Sequence, residues 1–187
     1  MALQKNRKLE IGDWSAKINL QSLPKKMIEV AQIQQLPCFH RGVIPAAYLD
    51  VMGHMNIRHY MGLFDDAAWD FFASFGMDDA YYQTTSGGAF ALEQHIRYLA
   101  EVHVGETVAI HTRINGRTAK RIHFIHFMIN ETIGKLAATL EVIGSHADRD
   151  TRRTSPFPDE IARQIDQLAA KHNQMKWQPP LCGVMQP

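Results

Sequence analysis

Apolar side chains at Ile57, Tyr60, Phe64, Ala67, Ala68, Phe71 and Phe75 recur every three or four positions, the period of a helix that buries one face. Met61, Leu63, Trp69 and Phe72 carry apolar surface beyond that stripe, and Arg58, Asp65, Asp66 and Asp70 supply little charge to face water. The pattern predicts a helix over 56–75, wrapped by a curved sheet and leaving little of itself to solvent. Asn56 is a strong N-cap residue, because its side-chain oxygen accepts a free amide of the first turn. Gly76 stops the helix by accepting a left-handed conformation.

The pattern changes to strand alternation elsewhere. Cys38–Ala47 reads as a first strand, with Pro45 at its end or at an edge. Met77–Gly88 is a connection with a Gly-Gly hinge. Phe90, Leu92, Ile96 and Tyr98 then share one face, and Glu93, His95 and Arg97 the other. Val108, Ile110, Thr112 and Ile114 alternate up to Asn115-Gly116, a strong hairpin signal. Arg121–Glu131 is apolar on both faces, as a central strand is, and Leu136, Ala138, Leu140 and Val142 alternate to about His146. These four successive strands predict an antiparallel meander. A charged linker leads to a helix from Pro156 or Pro158, with Ile161, Ile165, Leu168, Ala169 and His172 on one face. The region before the first strand is polar; a short helix from Pro24 to Gln35 is its one candidate element. Three regions follow: an extension (1–35), a central domain (36–148) and a linker, helix and irregular tail (149–187).

Composition narrows the class. The 187 residues suffice for one domain with a core, and a net charge of +1 gives no basic field for nucleic acid. No apolar run reaches the length of a membrane span, and the first eight residues lack the apolar segment of a secretory signal. Two cysteines, Cys38 and Cys182, have no metal-ligand spacing and are too few for a disulfide scaffold. With nine methionines, they predict a cytoplasmic protein.

The candidate chemistry lies just before the long helix. Tyr48-Leu-Asp-Val-Met-Gly-His-Met-Asn56 is a short loop carrying Asp50, six residues ahead of the N-cap. Free amides and the dipole of a helix start favour a negatively charged oxygen. A carboxylate beside such a terminus is the minimum equipment for hydrolysing an activated acyl group.

Asp50-Val-Met-Gly-His-Met-Asn56, with Tyr60, Phe64-Asp65, His95-Ile-Arg-Tyr98, Glu101 and Gly105, resembles the hotdog-fold thioesterases of the 4-hydroxybenzoyl-CoA thioesterase group. The resemblance covers roughly residues 38–147. The Gly-His-Met-Asn form of the loop is shared with sequences similar to betainyl-CoA thioesterases. It implies an α+β hotdog domain, a curved antiparallel sheet around a long helix, here with an N-terminal extension and a C-terminal helix. It also implies a thioesterase acting on a small or polar acyl-CoA, working as a homodimer or homotetramer with sites between subunits. CoA is part of the substrate, and no cofactor, metal, nucleic acid or membrane partner is expected.

The resemblance makes Asp50 the group that attacks the thioester carbonyl or holds the water that does. Gly53 lets backbone approach the acyl carbonyl, or merely permits a tight turn. The amides around Asn56, Ile57 and Arg58 are the expected oxyanion donors. His54 orients the loop or contacts substrate; with His59 it lacks the spacing of a metal site. Tyr60 and Phe64 are candidates for the substrate wall or the core. Glu93 and His95 form a polar patch at a subunit interface, near substrate, or on a solvated face. Arg117, Lys120 and Arg121 suit CoA phosphates, with ordinary surface charge the plainer reading. Two other functions use the same residues: a hydratase or dehydratase of acyl thioesters, and an acyl-CoA-binding module without turnover.

Overall fold

A computed structural model describes residues 28–187. One antiparallel sheet contains β1 (Cys38–Val43), β2 (Gly87–Tyr98), β3 (Thr107–Arg117), β4 (Arg121–Asn130), β5 (Lys135–Asp148) and β6 (Arg153–Thr154). Its order is β1-β3-β4-β5-β2, with β6 paired to β5. The predicted meander therefore holds for β3, β4 and β5 only. β2 pairs with β5, at the opposite edge from β1, so residues 99–106 must cross the end of the sheet to reach β3.

The sheet curls around α2 (Ile57–Ala73), as the hotdog resemblance implies. Tyr60, Leu63, Phe64, Ala67 and Phe71 are buried against Ile110, Ile122, Phe124, Met128 and Leu140. Phe71 meets Phe39, Phe75 and Phe124 at ring-centroid distances of 5.5, 5.2 and 4.9 Å. The opposite side of α2 is open within the chain: Arg58, Gly62, Asp65, Asp66 and Asp70 are exposed, and Trp69 is 54% exposed. The expectation of a helix largely hidden from water is thus met on one side only. A concave sheet embraces about half of a cylinder, and the described residues include no second layer over the rest.

Three local signals read differently in the structure. Asn115-Gly116 is not the turn: a register shift between Ile114 and Gly116 makes it a bulge, and Thr118–Lys120 closes the hairpin. The Thr118 amide donates to Arg121 O, and the Arg121 amide returns to Thr118 Oγ1. A second bulge, between Ala91 and Glu93, breaks the alternation of β2. Ile96 lies opposite Leu140 of the core, but Phe90 lies opposite Ser145 and is 63% exposed. Finally, the 77–88 connection holds α3 (Asp79–Thr84), and its Gly-Gly pair begins β2. Gly87 is required by a close approach: a Cβ there would fall 1.9 Å from the Tyr81 hydroxyl oxygen.

The convex face of the sheet is covered as well. Ile125, Phe127 and Ile129 of β4 pack against Ile33, Leu36 and Trp177. Ile33 ends α1 (Val30–Ile33), one turn of the helix expected over 24–35, whose beginning falls outside the described residues. The tail is irregular, as predicted, but anchored: Arg113 lies 4.5 Å from the Trp177 ring centroid and donates to its carbonyl at 2.6 Å. α4 (Asp159–Asn173) starts after Pro158 and buries Ile161, Ile165 and His172.

Candidate active site

The loop before α2 is held by its own backbone. The Asp50 amide donates to His54 O at 3.1 Å, the Gly53 amide to Asp50 O at 3.1 Å, and Met55 N–H to Val102 O at 2.7 Å. Gly53 has φ +85°, with open space where a Cβ would stand, so conformation rather than crowding selects glycine here. Asp50 Oδ1 accepts the Met52 amide at 2.8 Å, leaving Oδ2 3.9 Å from His54 Nδ1. Asn56 caps α2 as predicted, accepting the Arg58 amide at 3.2 Å, and its own amide donates to Tyr48 O. His59 stacks on Tyr48 with centroids 4.0 Å apart.

These bonds restrict the expected oxyanion donors. The amides of Asn56 and Arg58 are used inside the loop, whereas the Ile57 amide has no acceptor among the described residues. Ile57 is the first helical residue, where an unpaired N–H points along the positive end of the dipole. It borders an open cleft of about 270 Å³ with His54, Met55, Tyr60, Tyr98, Ala100 and Glu101. Burial raises the Tyr60 hydroxyl to about 12, with Tyr98 and Glu101 adding to the shift, so it stays a proton donor. It points to Ala100 O at 3.4 Å.

The crossing segment 99–106 supplies two further residues beside the loop. Glu101 is the carboxylate that lines the cleft; Asp50 sits in the adjoining loop and is not among the lining residues. His103 Nδ1 lies 3.1 Å from Gly53 O; a carbonyl only accepts, so the ring donates from Nδ1 and braces the loop. No local pattern marks His103, whereas Glu101 is among the residues that carry the thioesterase resemblance. Their place follows from β2 lying at the far edge.

A second cavity, of about 160 Å³, lies farther along α2 towards β2 and β5. Its walls are largely aromatic, with Trp69, Phe72, Tyr82 and Phe124, and its polar members include Asp65 and His126. His126 is wholly buried, Nδ1 bonded to Thr112 Oγ1 at 2.7 Å and Nε2 without a partner. Burial lowers its pKa to about 3, and burial also lowers His172 to about 4, helped by Arg113 and Lys171. Both rings are thus neutral when folded and gain a proton near pH 6.5 when unfolded. Stability from these groups is complete above pH 6.5 and is lost as pH falls towards the folded values. Each should contribute a slope of up to about 1.4 kcal/mol per pH unit. Denaturant midpoints at pH 7.5, 6 and 5, above most carboxylate titration, should fall steadily; equal midpoints would contradict the burial of these rings.

Other predicted residues stand apart from Asp50. Phe64 has no exposed surface; its ring is stacked on His126 in the core, so it is a packing residue rather than a substrate wall. Glu93 and His95 lie on the convex face, opposite Ile143 and Glu141. Arg117 is clamped by both carboxylate oxygens of Asp166 on α4, and Lys120 reaches Thr154 O. Arg121 pairs with Ser145, which also pairs with Phe90. From there to Tyr98 at the cleft is eight residues of β2, about 26 Å of extended chain. Within one chain, the basic hairpin and the Asp50 loop lie at opposite ends of the sheet. Neither His54 nor His59 belongs to a converging set of metal ligands among the described residues.

A family model for the thioesterase-like superfamily matches residues 44–165. The chain is 29% identical to an L-carnitine dehydrogenase/betainyl-CoA thioesterase of Agrobacterium fabrum, aligning 87% of this chain with 34% of that protein. It therefore spans about a third of that relative's length. Identity is also 29% to a betainyl-CoA thioesterase of Pseudomonas aeruginosa, over 74% of this chain and 87% of the relative. Among solved structures, a Staphylococcus aureus protein in complex with CoA superposes with a TM-score of 0.73 at 24% identity, covering 87% of this chain and 99% of the other. A putative thioesterase of Pseudomonas putida superposes with a TM-score of 0.69 at 26% identity, covering 81% and 96%.

Proposed function

The chain belongs to the thioesterase-like superfamily, and on that premise we propose that it hydrolyses acyl-CoA thioesters at the Asp50 loop. The observation that carries this reading is an Asp50 Oδ2 that accepts no hydrogen bond, in the loop leading into a helix start whose Ile57 amide lacks an acceptor among the described residues. Asp50 attacks the thioester carbonyl or takes a proton from the attacking water. The Ile57 amide and the helix dipole stabilise the oxyanion that forms, and the CoA thiolate leaves without needing a strong acid. Water is consumed; the products are the free acid and CoA. These steps draw on no cofactor beyond the CoA of the substrate.

The acyl group we assign is small, with a quaternary ammonium such as the betainyl group named in the relatives. Trp69, Phe72, Tyr82 and Phe124 offer aromatic faces to such a cation, and the Asp65 carboxylate shares their cavity. In this reading two chains pair along β2. That strand has a free edge, with Phe90, Leu92 and Tyr98 exposed. Antiparallel self-pairing brings the Tyr98 end of one chain to the Gly87 end of its copy, and with it the partner's basic hairpin towards the Asp50 loop. Sedimentation should give a homodimer or homotetramer at micromolar concentration; a fully active monomer would overturn this part. No helix among the described residues is long and apolar enough to cross a membrane. Two free thiols support the cytoplasmic location included in this reading.

Thiol release across betainyl-, acetyl-, butyryl-, benzoyl- and crotonyl-CoA tests the function. Turnover should be fastest with betainyl-CoA. His54 Nδ1, 3.9 Å from Asp50 Oδ2, is the kind of pair a hydratase needs, so a second reading is retained. Loss of enoyl absorbance from crotonyl-CoA without thiol release would establish it, and binding with neither change would make the chain an acyl-CoA-binding module.

A further inference from the structure

The convex face of the sheet brings together a group of side chains that the proposed hydrolysis does not use. His95 on β2 is the direct cross-strand partner of Glu141 on β5. Their neighbours Ile96, Leu140 and Val142 face α2, so alternation turns His95 and Glu141 to the other side of the sheet. The C-terminal tail passes over this point. The Cys182 amide donates to Glu141 Oε2 at 2.7 Å, and His123 Nε2 stands 2.8 Å from Glu141 Oε1. One ligand atom from each of His95, Glu141 and Cys182 lies within 4.8 Å of the other two.

We propose that His95, Glu141 and Cys182 bind a zinc ion that fastens the tail to the outermost strand β2. An imidazole, a carboxylate and a thiolate form a borderline-soft donor set of the kind zinc accepts, with water completing a tetrahedron. Bonds of about 2.0–2.3 Å place tetrahedral ligands roughly 3.5 Å apart. Closure by about 1 Å is within the reach of side-chain rotation, since His95 is exposed and Cys182 sits in an irregular, partly exposed segment. The exposed imidazole also leaves the ion a path of entry.

Glu141 is 2% exposed, and its two N–H partners hold the carboxylate in place. His123 is a positioning residue: its ring fixes Oε1, leaving lone pairs of the carboxylate for the metal, as outer-shell partners of zinc ligands do. The site lies on the sheet face opposite α2, so its role is structural and independent of the hydrolytic reading.

The test uses the full chain, reduced and freed of metal by chelation. Titration with Co²⁺ should produce a thiolate-to-cobalt charge-transfer band with the d–d absorption of a tetrahedral ion, and Zn²⁺ should displace it. Cys182→Ser should lose the charge-transfer band, whereas Cys38→Ser should keep it. His123→Gln should weaken Zn²⁺ binding about 10–100-fold, the usual loss for an outer-shell partner, and His95→Ala at least as much. Zn²⁺ should raise the melting temperature of the wild type and not of Cys182→Ser. The proposal is overturned if the wild type shows no thiolate band, if the band persists in Cys182→Ser, or if Zn²⁺ stabilises both proteins equally.

Discussion

Asp50→Asn should lower kcat for acyl-CoA hydrolysis on the order of 10²–10⁴-fold, the range for removing a general base, with a nucleophile costing at least as much. The fold should survive. Asp50 Oδ1 accepts the Met52 amide, and the amide oxygen of Asn can accept the same bond. A substitution in such a loop normally shifts stability by about 0.5 kcal/mol or less. What disappears is the negative charge at Oδ2, the oxygen nearest His54 Nδ1. The expected phenotype is an enzyme that binds a non-hydrolysable acyl-CoA analogue at near wild-type affinity and turns over almost nothing. Hydrolysis at near wild-type rate would remove Asp50 from the chemistry. Glu101 would then be the carboxylate to replace, because it shares the cleft with Ile57 and Tyr60. Asp66 and Glu93 are poorer substitutes: Asp66 is exposed on α2 outside the cleft, and Glu93 faces away from α2.

Ile57→Pro should cost about 10²–10³-fold in kcat, the usual effect of losing one oxyanion donor. Proline removes the backbone N–H and leaves the helix intact, since it is favoured at the first helical position. The preceding residue must be extended, and Asn56 already is, at φ −65° and ψ 143°. Asn56 Oδ1 keeps its bond from the Arg58 amide, and Ile57 is 64% exposed, so little packing is lost. Ile57→Val retains the amide and should stay within a few-fold of wild type. Because the oxyanion exists only in the transition state, the loss should appear in kcat with little change in KM. Unchanged kcat in the proline variant, with its melting temperature intact, would rule this amide out.

The parts legible from residue order were those governed by near neighbours. The cap at Asn56, the periodicity of α2, the turn conformation at Gly53 and the start of α4 after Pro158 each depend on a few adjacent residues. The bulges in β2 and β3 escaped. A single extra residue, at Leu92 or Asn115, leaves local composition unchanged while it reverses which side chains face the core. The strand alternation of β2 consequently grouped Phe90 with Ile96, and the Asn-Gly pair marked a turn where β3 continues. Phe64 fitted a substrate wall and the helix stripe equally well, and only its burial beneath the curled sheet distinguishes them.

By itself, the sequence determined a long amphipathic helix opening at an Asn-capped acidic loop, strands able to curl around it, and the resemblance that joins them to the thioesterases. The tertiary structure alone decided what surrounds that loop. β2 pairs with β5 instead of β3, and the chain must therefore cross the sheet end at 99–106, delivering Ala100, Glu101 and His103 to the helix start. It also placed the basic hairpin at the far end, clamped Arg117 to Asp166, and gathered His95, Glu141 and Cys182 from two strands and the tail. Hydrophobic period and capping are set by contacts a few residues apart, which residue order contains directly. Strand order and the meeting of distant side chains are set by closure of the whole sheet around the helix, where each contact depends on every other.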